Sequence, residues 1–134
     1  MLYVEDNLAN QRIVAHVVAR HPRLQLLMAA NGQEGLALAR SQAPELVLLD
    51  LQLPDMDGYE VMRLLRADAR TAHLPVVAVT AFAMPGDLAR SAQAGFADHV
   101  AKPIDIGAFD RMLERWLPAL PLSADPTQAQ ARIG

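Results

Sequence analysis

The chain has 134 residues, a formal net charge of −3 and no cysteine, and this length predicts one domain with a core of its own. The lack of cysteine excludes a disulfide framework and a thiolate metal site, and the lack of a basic excess argues against direct nucleic-acid binding. No apolar run approaches the roughly 18 residues of a membrane span and no signal peptide is visible, so we expect a soluble, cytoplasmic domain without membrane contact.

The first third of the chain predicts two strands, each followed by a helix. The first strand, residues 2–4, is shorter than the usual five or six residues, which suggests that the chain begins inside this strand and favours strand exchange or a homodimer. A helix is predicted over 8–20, a second strand over 24–28, and a second helix from Asn31 to about Gln42. Asn31 and Glu34 have the spacing of a capping box.

The central stretch carries the most distinctive strand. Residues 46–49 are a continuous apolar run that ends on Asp50, a pattern typical of a strand buried on both faces of a parallel sheet. Pro54 and Gly58 turn the chain into a third helix, and Asp55 and Asp57 are interpreted as turn and cap residues.

The last third predicts two more strands and two more helices. Residues 75–80 form a β-branched fourth strand, and Pro85 opens a helix that Gly95 ends. Residues 97–101 form the fifth strand, and Asp105 caps a last helix that stops before Pro118. We therefore expect a folded domain over 1–117 and a flexible tail over 118–134.

Strands that alternate with helices predict an α/β fold. The expected architecture is a doubly wound, five-stranded parallel sheet with the flavodoxin-like order 2-1-3-4-5. The chain has no G-x-G-x-x-G after its first strand and no P-loop motif, which disfavours the common nucleotide sites.

Polar residues follow four of the predicted strands: Glu5 and Asp6, Asp50, Thr80 and Lys102. The carboxyl ends of parallel strands share one edge, so these side chains should converge. Two carboxylates about 4 Å apart repel by on the order of 4 kcal/mol at an effective dielectric of 20. A hard cation, Mg²⁺ or Mn²⁺, and a lysine ammonium would offset that repulsion. Together these groups predict the reversible formation of an aspartyl phosphate.

The chain resembles the receiver domains of response regulators in two-component phosphorelays. The resemblance runs from Leu2 to about Trp116 and rests on VEDN at 4–7, LDLQLPDMDG at 49–58, VTA at 79–81 and KP at 102–103. The spacings also match: 44 residues from Asp6 to Asp50, 30 from Asp50 to Thr80, and 52 from Asp50 to Lys102. Residues 79–87 are especially similar to single-domain cell-cycle regulators and to the receivers of hybrid histidine kinases.

The resemblance implies a role for each matching residue. Asp50 would take a phosphoryl group from the phosphohistidine of a histidine kinase or histidine phosphotransfer protein. The implied metal ligands are Asp6, Asp50, Glu5 through a water and the carbonyl of Gln52; the implied phosphoryl-binding groups are Thr80, the Ala81 N–H and Lys102, with a cis Lys102–Pro103 bond. Phosphorylation would draw Thr80 inward and repack the face of the fourth helix, fifth strand and last helix, which a downstream protein reads.

The four histidines need separate interpretations. The family commonly has Tyr or Phe three residues before the lysine as the partner of the switching threonine, and this chain has His99. Two interpretations stand: an altered switch that responds to pH, or a strand histidine without a signalling role. His16, His21 and His73 lack ligand-like spacing and are predicted to be surface or cap residues.

Alternative functions make distinct demands on the sequence. A haloacid-dehalogenase-like phosphatase also uses a strand-end aspartate, but it needs a second acid two residues later, where Gln52 stands. A receiver fold that serves only as a docking scaffold would lack one of the acids, Asp50 or Lys102. We therefore expect a signalling domain rather than an enzyme with turnover, either as a stand-alone regulator or as a fragment of a hybrid histidine kinase.

Overall fold

The computed structural model describes residues 1–117, and the tail predicted over 118–134 lies outside the described residues. The five strands are β1 (Leu2–Val4), β2 (Leu27–Ala29), β3 (Val47–Asp50), β4 (Val76–Thr80) and β5 (Asp98–Ala101). The five helices are α1 (Leu8–Val18), α2 (Gly32–Gln42), α3 (Gly58–Ala67), α4 (Pro85–Gln93) and α5 (Ile106–Trp116). None of the helices within residues 1–117 combines the length and the hydrophobicity that a membrane span requires.

The strands form one parallel sheet in the order β2-β1-β3-β4-β5, which confirms the predicted architecture. Successive residues of a strand point to opposite faces, so each strand feeds two cores. Tyr3, Leu48 and Val79 pack on one face, which α1 and α5 cover. Val4 and Leu49 pack on the other face, which α2 and α3 cover. The continuous apolar runs of the sequence are thus explained by burial on both faces.

The prediction for β2 was wrong in position, because the strand begins at Leu27 rather than at residue 24. β2 can pair only along β1, and the three residues of β1 set the register from Leu2 opposite Leu27 to Val4 opposite Ala29. Leu24 and Leu26 are instead partly buried against the core under α1 and α5. Their apolar pattern therefore reflects a partly buried loop, not a strand.

His21 was predicted to be a surface or cap residue; the surface alternative is wrong, since His21 is buried just after the end of α1. Its Nε2 atom lies 3.5 Å from Oδ1 of Asp110 on α5, and Arg20 donates to the other oxygen of that carboxylate at 3.1 Å. The helix predicted over 8–20 ends at Val18. Arg20 and His21, which follow α1, therefore pack this end of the helix against Asp110 of α5.

The capping box predicted at α2 is only half correct. The Asn31 side chain accepts the Glu34 N–H at 2.8 Å, as predicted, but the Glu34 carboxylate accepts the N–H of Ala30 rather than that of Asn31. The caps predicted at Asp57 and Asp105 are confirmed by bonds from the Glu60 and Ala108 N–H groups.

Gly58, the first residue of α3, packs against the backbone at the end of β3. A Cβ atom at this position would lie 2.7 Å from Cα of Leu51 and 2.8 Å from the carbonyl oxygen of Asp50. The Gly58 N–H also donates to the Leu51 carbonyl at 2.9 Å. Glycine therefore lets the first turn of α3 pack directly on the backbone that carries Asp50.

We predict that Gly58→Ala lowers the free energy of unfolding by about 1–3 kcal/mol, because the added methyl group displaces backbone atoms. Gly86→Ala in α4 is the matched control: its Cβ meets nothing within 4 Å, so this change should raise the free energy of unfolding by about 0.4–1 kcal/mol. Urea denaturation measures both values. Equal effects at the two positions would contradict the packing argument.

Candidate phosphoacceptor site

The predicted site residues converge at the carboxyl edge of the sheet. Glu5 and Asp6 follow β1, Asp50 ends β3, Thr80 ends β4, and Lys102 follows β5. β1 pairs directly with β3, so the acids that follow β1 lie beside Asp50. Parallel pairing between neighbouring strands is therefore sufficient to bring together residues that are distant in the sequence.

Lys102 joins the two buried carboxylates. Its Nζ atom lies 2.8 Å from Oδ2 of Asp50 and 3.0 Å from Oε1 of Glu5. The Lys102–Pro103 peptide bond is cis, as the resemblance to receiver domains implies. One ammonium thus faces two carboxylates, and the local charge of these three groups remains negative.

Glu5 is fully buried, and its two oxygens have different surroundings. Oε1 accepts hydrogen bonds from the Tyr3 hydroxyl at 3.2 Å and from Nδ2 of Asn10 at 2.7 Å, in addition to the contact with Lys102. Oε2 has no hydrogen-bond partner within residues 1–117. Unpaired buried carboxylate oxygens are rare because they lose their hydration without compensation, so Oε2 is available to a ligand.

Burial is the largest effect on all three titratable groups of this cluster. Together with the facing Glu5 carboxylate, burial raises the pKa of Asp50 to about 6. Burial also opposes ionisation of Glu5, but contacts with Asp50, Lys102 and Asn10 outweigh it and lower the pKa of Glu5. Burial disfavours the Lys102 ammonium, but the two carboxylates outweigh it and raise the pKa of Lys102. Glu5 thus ionises before Asp50 as the pH rises, and both carboxylates are charged above about pH 6.

The acids also fit a divalent cation. Glu5, Asp6 and Asp50 each offer one carboxylate oxygen, and the three oxygens lie within 4.8 Å of one another. Two of the residues are buried and Asp6 is exposed, so the group opens toward solvent on one side. A site that offers a few carboxylate oxygens and leaves the other coordination positions to water suits Mg²⁺. The unpaired Oε2 atom of Glu5 supports the same interpretation.

Thr80 is buried at the end of β4, and its hydroxyl oxygen accepts the N–H of Phe82 at 2.9 Å. The Gln52 N–H donates to Oδ1 of Asp50 at 3.0 Å, which places the Gln52 backbone next to the carboxylate. Ala81 follows Thr80 and is exposed. Gln52 therefore lies beside the acid cluster, and Thr80 and Ala81 follow Val79, the residue that pairs with Asp50.

His99 lies farther back along the sheet. On β5 it pairs with Ala78, two residues before the pair formed by Thr80 and Ala101. Its side chain is 40% exposed, and Nδ1 lies 3.9 Å from Oδ1 of Asp98. The structure thus places His99 on the strand that the switch prediction names, and the role of His99 stays a prediction.

The loop after β3 is fastened to α2, a contact that the sequence did not reveal. The Asp55 carboxylate accepts the N–H groups of Gly32 and Gln33 at 2.8 and 2.9 Å. Burial opposes ionisation of Asp55, but these backbone bonds outweigh it and lower its pKa. Asp55 was predicted to be a turn or cap residue, and it caps a helix that precedes it by more than twenty residues. These two hydrogen bonds hold the loop after β3, which contains Gln52, against the start of α2.

Two residues of the site were missed by sequence reasoning. Tyr3 has the pattern of a core strand residue, and Asn10 that of an ordinary polar residue in the first turn of a helix. The available signal was the position of Asn10, five residues after Glu5 at the start of the helix that leaves the acid pair. A cavity of about 570 Å³ is bordered by Met1, Glu45 and Trp116 and lies away from these acids.

Comparison with known proteins identifies relatives over most of the chain. The family model of the response regulator receiver domain matches residues 1–114. The polar-differentiation response regulator DivK of Brucella anthropi is 38% identical over 117 residues, which cover 87% of this chain and 94% of DivK.

Solved structures give the same result. The receiver domain of the sensor histidine kinase PA1611 from Pseudomonas aeruginosa PAO1, with a magnesium ion coordinated in its active site cleft, is 33% identical, with a TM-score of 0.78 and coverage of 87% of this chain and 95% of that chain. A co-crystal structure of the Saccharomyces cerevisiae histidine phosphotransfer protein Ypd1 with the receiver domain of Ssk1 matches at 28% identity, with a TM-score of 0.77 and coverage of 86% of each chain.

We predict that Asp50→Asn raises the free energy of unfolding in the absence of divalent cations, and more so at pH 7.5 than at pH 4.5. The folded pKa of Asp50 lies above its unfolded value, so the wild type loses stability as the pH rises through about 6. Asparagine removes that loss, a gain of about 1 kcal/mol after allowance for solvent screening. Urea denaturation in a chelating buffer measures the difference.

The control for this prediction is Asp6→Asn, which makes the same charge change at an exposed position. It should change stability less than Asp50→Asn does at pH 7.5. A constant difference between Asp50→Asn and the wild type at both pH values would contradict the raised pKa of Asp50.

Proposed function

The chain belongs to the response regulator receiver domain family of two-component phosphorelays, and from that premise we propose that Asp50 accepts a phosphoryl group from the phosphohistidine of a partner protein. The observation that carries the proposal is the position of Lys102, whose Nζ atom contacts both Asp50 and Glu5 at the edge where three carboxylates meet. The Lys102 ammonium would therefore lie next to a phosphoryl group on Asp50 and offset its negative charge.

The transfer step requires little covalent chemistry from the protein. A carboxylate oxygen of Asp50 forms a bond to phosphorus while the phosphorus–nitrogen bond to the partner's imidazole breaks, and that electron pair returns to the ring nitrogen. We assign Lys102, the Thr80 hydroxyl and the Ala81 N–H to the phosphoryl oxygens. Their role is to bind and orient the group, which is the main source of catalysis in phosphoryl transfer.

We propose that four groups hold Mg²⁺, or Mn²⁺ in its place. They are the carboxylates of Asp6 and Asp50, the Glu5 carboxylate through a bound water, and the backbone carbonyl of Gln52. When bound, the cation neutralises negative charge on the transferring phosphoryl group. The proposal is supported by the three carboxylate oxygens within 4.8 Å and by the unpaired Oε2 atom of Glu5.

The domain functions in signalling, and we propose that it assists only its own phosphorylation and dephosphorylation. Gln52 stands where a phosphatase of the haloacid-dehalogenase kind needs an acid, so this chain lacks that general acid. Its relatives include a response regulator matched over 94% of its length and the receiver of a sensor kinase. The proposed transfer chemistry is the same in both settings.

Exposed apolar side chains follow the strands that carry the site residues, and they support docking of a protein donor. The large hydrophobic residues that are exposed within residues 1–117 all follow the carboxyl ends of strands: Leu8 (64%), Phe82 (55%), Met84 (70%) and Ile106 (43%). We propose that they contact the surface around the phosphohistidine of a histidine kinase or histidine phosphotransfer protein. Such contacts would exclude water from the transferring group.

For the output, we propose that Thr80 moves toward the phosphoryl group and that the face of α4, β5 and α5 is read by a downstream protein. α4 is suited to this, since Ser91 is its one buried residue within the described chain. Whether His99 takes part, whether the chain forms a homodimer and whether it is cytoplasmic stay predictions.

Incubation with acetyl phosphate and Mg²⁺ tests the phosphoacceptor. We expect a phosphorylated species in the intact mass spectrum of the wild type, none with Asp50→Asn, and wild-type labelling with Asp57→Asn, because Asp57 caps α3. Lys102→Ala should label at least about tenfold more slowly, since it removes the counter-charge. Labelling that survives Asp50→Asn would contradict the proposal.

Docking is tested with a histidine phosphotransfer protein that phosphorylates the wild type. Met84→Ser should slow this transfer about tenfold, the equivalent of about 1.4 kcal/mol, because it removes an exposed apolar contact. Labelling by acetyl phosphate should not change, since this small donor needs no docking surface. Met84→Leu is the matched control and should transfer at nearly the wild-type rate. Equal rates for Met84→Ser and Met84→Leu would exclude Met84 from the interface.

A further inference from the structure

The surroundings of Glu5 are more elaborate than a counter-charge requires. Its Oε1 atom receives the Tyr3 hydroxyl at 3.2 Å, Nδ2 of Asn10 at 2.7 Å and Nζ of Lys102 at 3.0 Å. Its Oε2 atom is buried and has no hydrogen-bond partner within residues 1–117. All the hydrogen-bond donors are thus directed to one oxygen of the same carboxylate.

We infer that Tyr3 and Asn10 are positioning residues that hold Glu5 in an orientation with one oxygen free, and that they thereby make the site prefer Mg²⁺ to Ca²⁺. This inference rests on the proposed function, because it assumes a divalent cation at Glu5, Asp6 and Asp50. It adds to that function a source of metal selectivity outside the metal-binding residues themselves.

The physical basis is the different coordination of the two cations. Mg²⁺ requires near-octahedral geometry with ligands at about 2.0–2.1 Å and usually keeps several waters, whereas Ca²⁺ accepts ligands at about 2.3–2.6 Å and often takes both oxygens of a carboxylate. A Glu5 whose Oε1 atom is saturated by donors offers only Oε2, which in the proposed site acts through a bound water. That arrangement withholds the two-oxygen binding that favours Ca²⁺.

Both positioning residues are themselves held firmly. Tyr3 is fully buried on β1, between β2 and β3. Burial and then the Glu5 carboxylate raise the pKa of Tyr3, so its hydroxyl remains a donor at physiological pH. Asn10 lies in the first turn of α1, where its own N–H donates to the Asn7 cap at 3.0 Å. The side chain of Gln11 also donates to the Glu5 carbonyl at 2.6 Å, so α1 fixes the backbone of Glu5 as well.

The test is calorimetric titration of the full chain with MgCl₂ and, separately, with CaCl₂, without a phosphoryl donor. Tyr3→Phe removes only the hydroxyl, and Asn10→Ala removes only the amide. We expect each variant to lose about tenfold in Mg²⁺ affinity, the scale of effects from groups that support metal ligands. The Ca²⁺ affinity should fall less or rise, so the ratio of the two affinities should drop several-fold.

Asn31→Ala is the matched control, because it removes the N-cap amide of α2, and Asn31 makes no hydrogen bond to Glu5 within residues 1–117. It should leave the ratio of Mg²⁺ to Ca²⁺ affinity unchanged. Asn10→Ala is decisive even if Tyr3→Phe folds poorly, since Asn10 is only partly buried.

The outcomes separate this inference from the proposed function. A wild-type affinity ratio in both Tyr3→Phe and Asn10→Ala, with Mg²⁺ still bound by the wild type, would overturn the inference and leave the proposed function standing. Loss of both cations in equal proportion would show a structural role only and would also overturn it. Failure of the wild type to bind Mg²⁺ would overturn the inference and the metal site together.

Discussion

The contact of one lysine with two buried carboxylates governs the rest of this structure. Lys102 lies within 3.0 Å of both Asp50 and Glu5, and the exposed Asp6 adds a third acid. Because the acids outnumber the base in a partly dry environment, the edge of the sheet favours any added positive charge. The phosphorylation that we propose at Asp50 would add negative charge at the place where this balance is already unfavourable.

The scaffold around this contact is short but firmly connected. β1 has only three residues, yet it lies between β2 and β3 and is almost fully buried. Gly58 packs on the backbone beside Asp50, and Asp55 fastens the same loop to the start of α2. The parallel strands bring the site residues to the same edge of the sheet. The loop contacts of Gly58 and Asp55 hold the backbone near Asp50 in place.

Much of the fold and the site could be predicted from sequence because strand ends in a parallel sheet follow a simple rule. Apolar runs that stop on Asp50 or before Glu5 indicate both the strand and the edge where its polar residue lies. Tyr3 and Asn10 were not predicted, since their role depends on the side-chain direction of one residue and the tilt of one helix. β2 was misplaced for a related reason. Its bounds are set by pairing with the three residues of β1, and the sequence of β2 carries no information about that pairing.

The weak attachment of α4 has a consequence for how such domains diversify. Ser91 is its one buried residue within the described chain, and Arg90 lies against the Tyr59 ring at 4.2 Å on its surface. Substitutions at exposed helix positions usually change stability by less than about 0.5 kcal/mol. After a gene duplication, two copies can therefore accumulate different α4 surfaces while both retain the same acid cluster around Asp50. The helix that costs least to alter is the one by which sibling pathways can become insulated from each other.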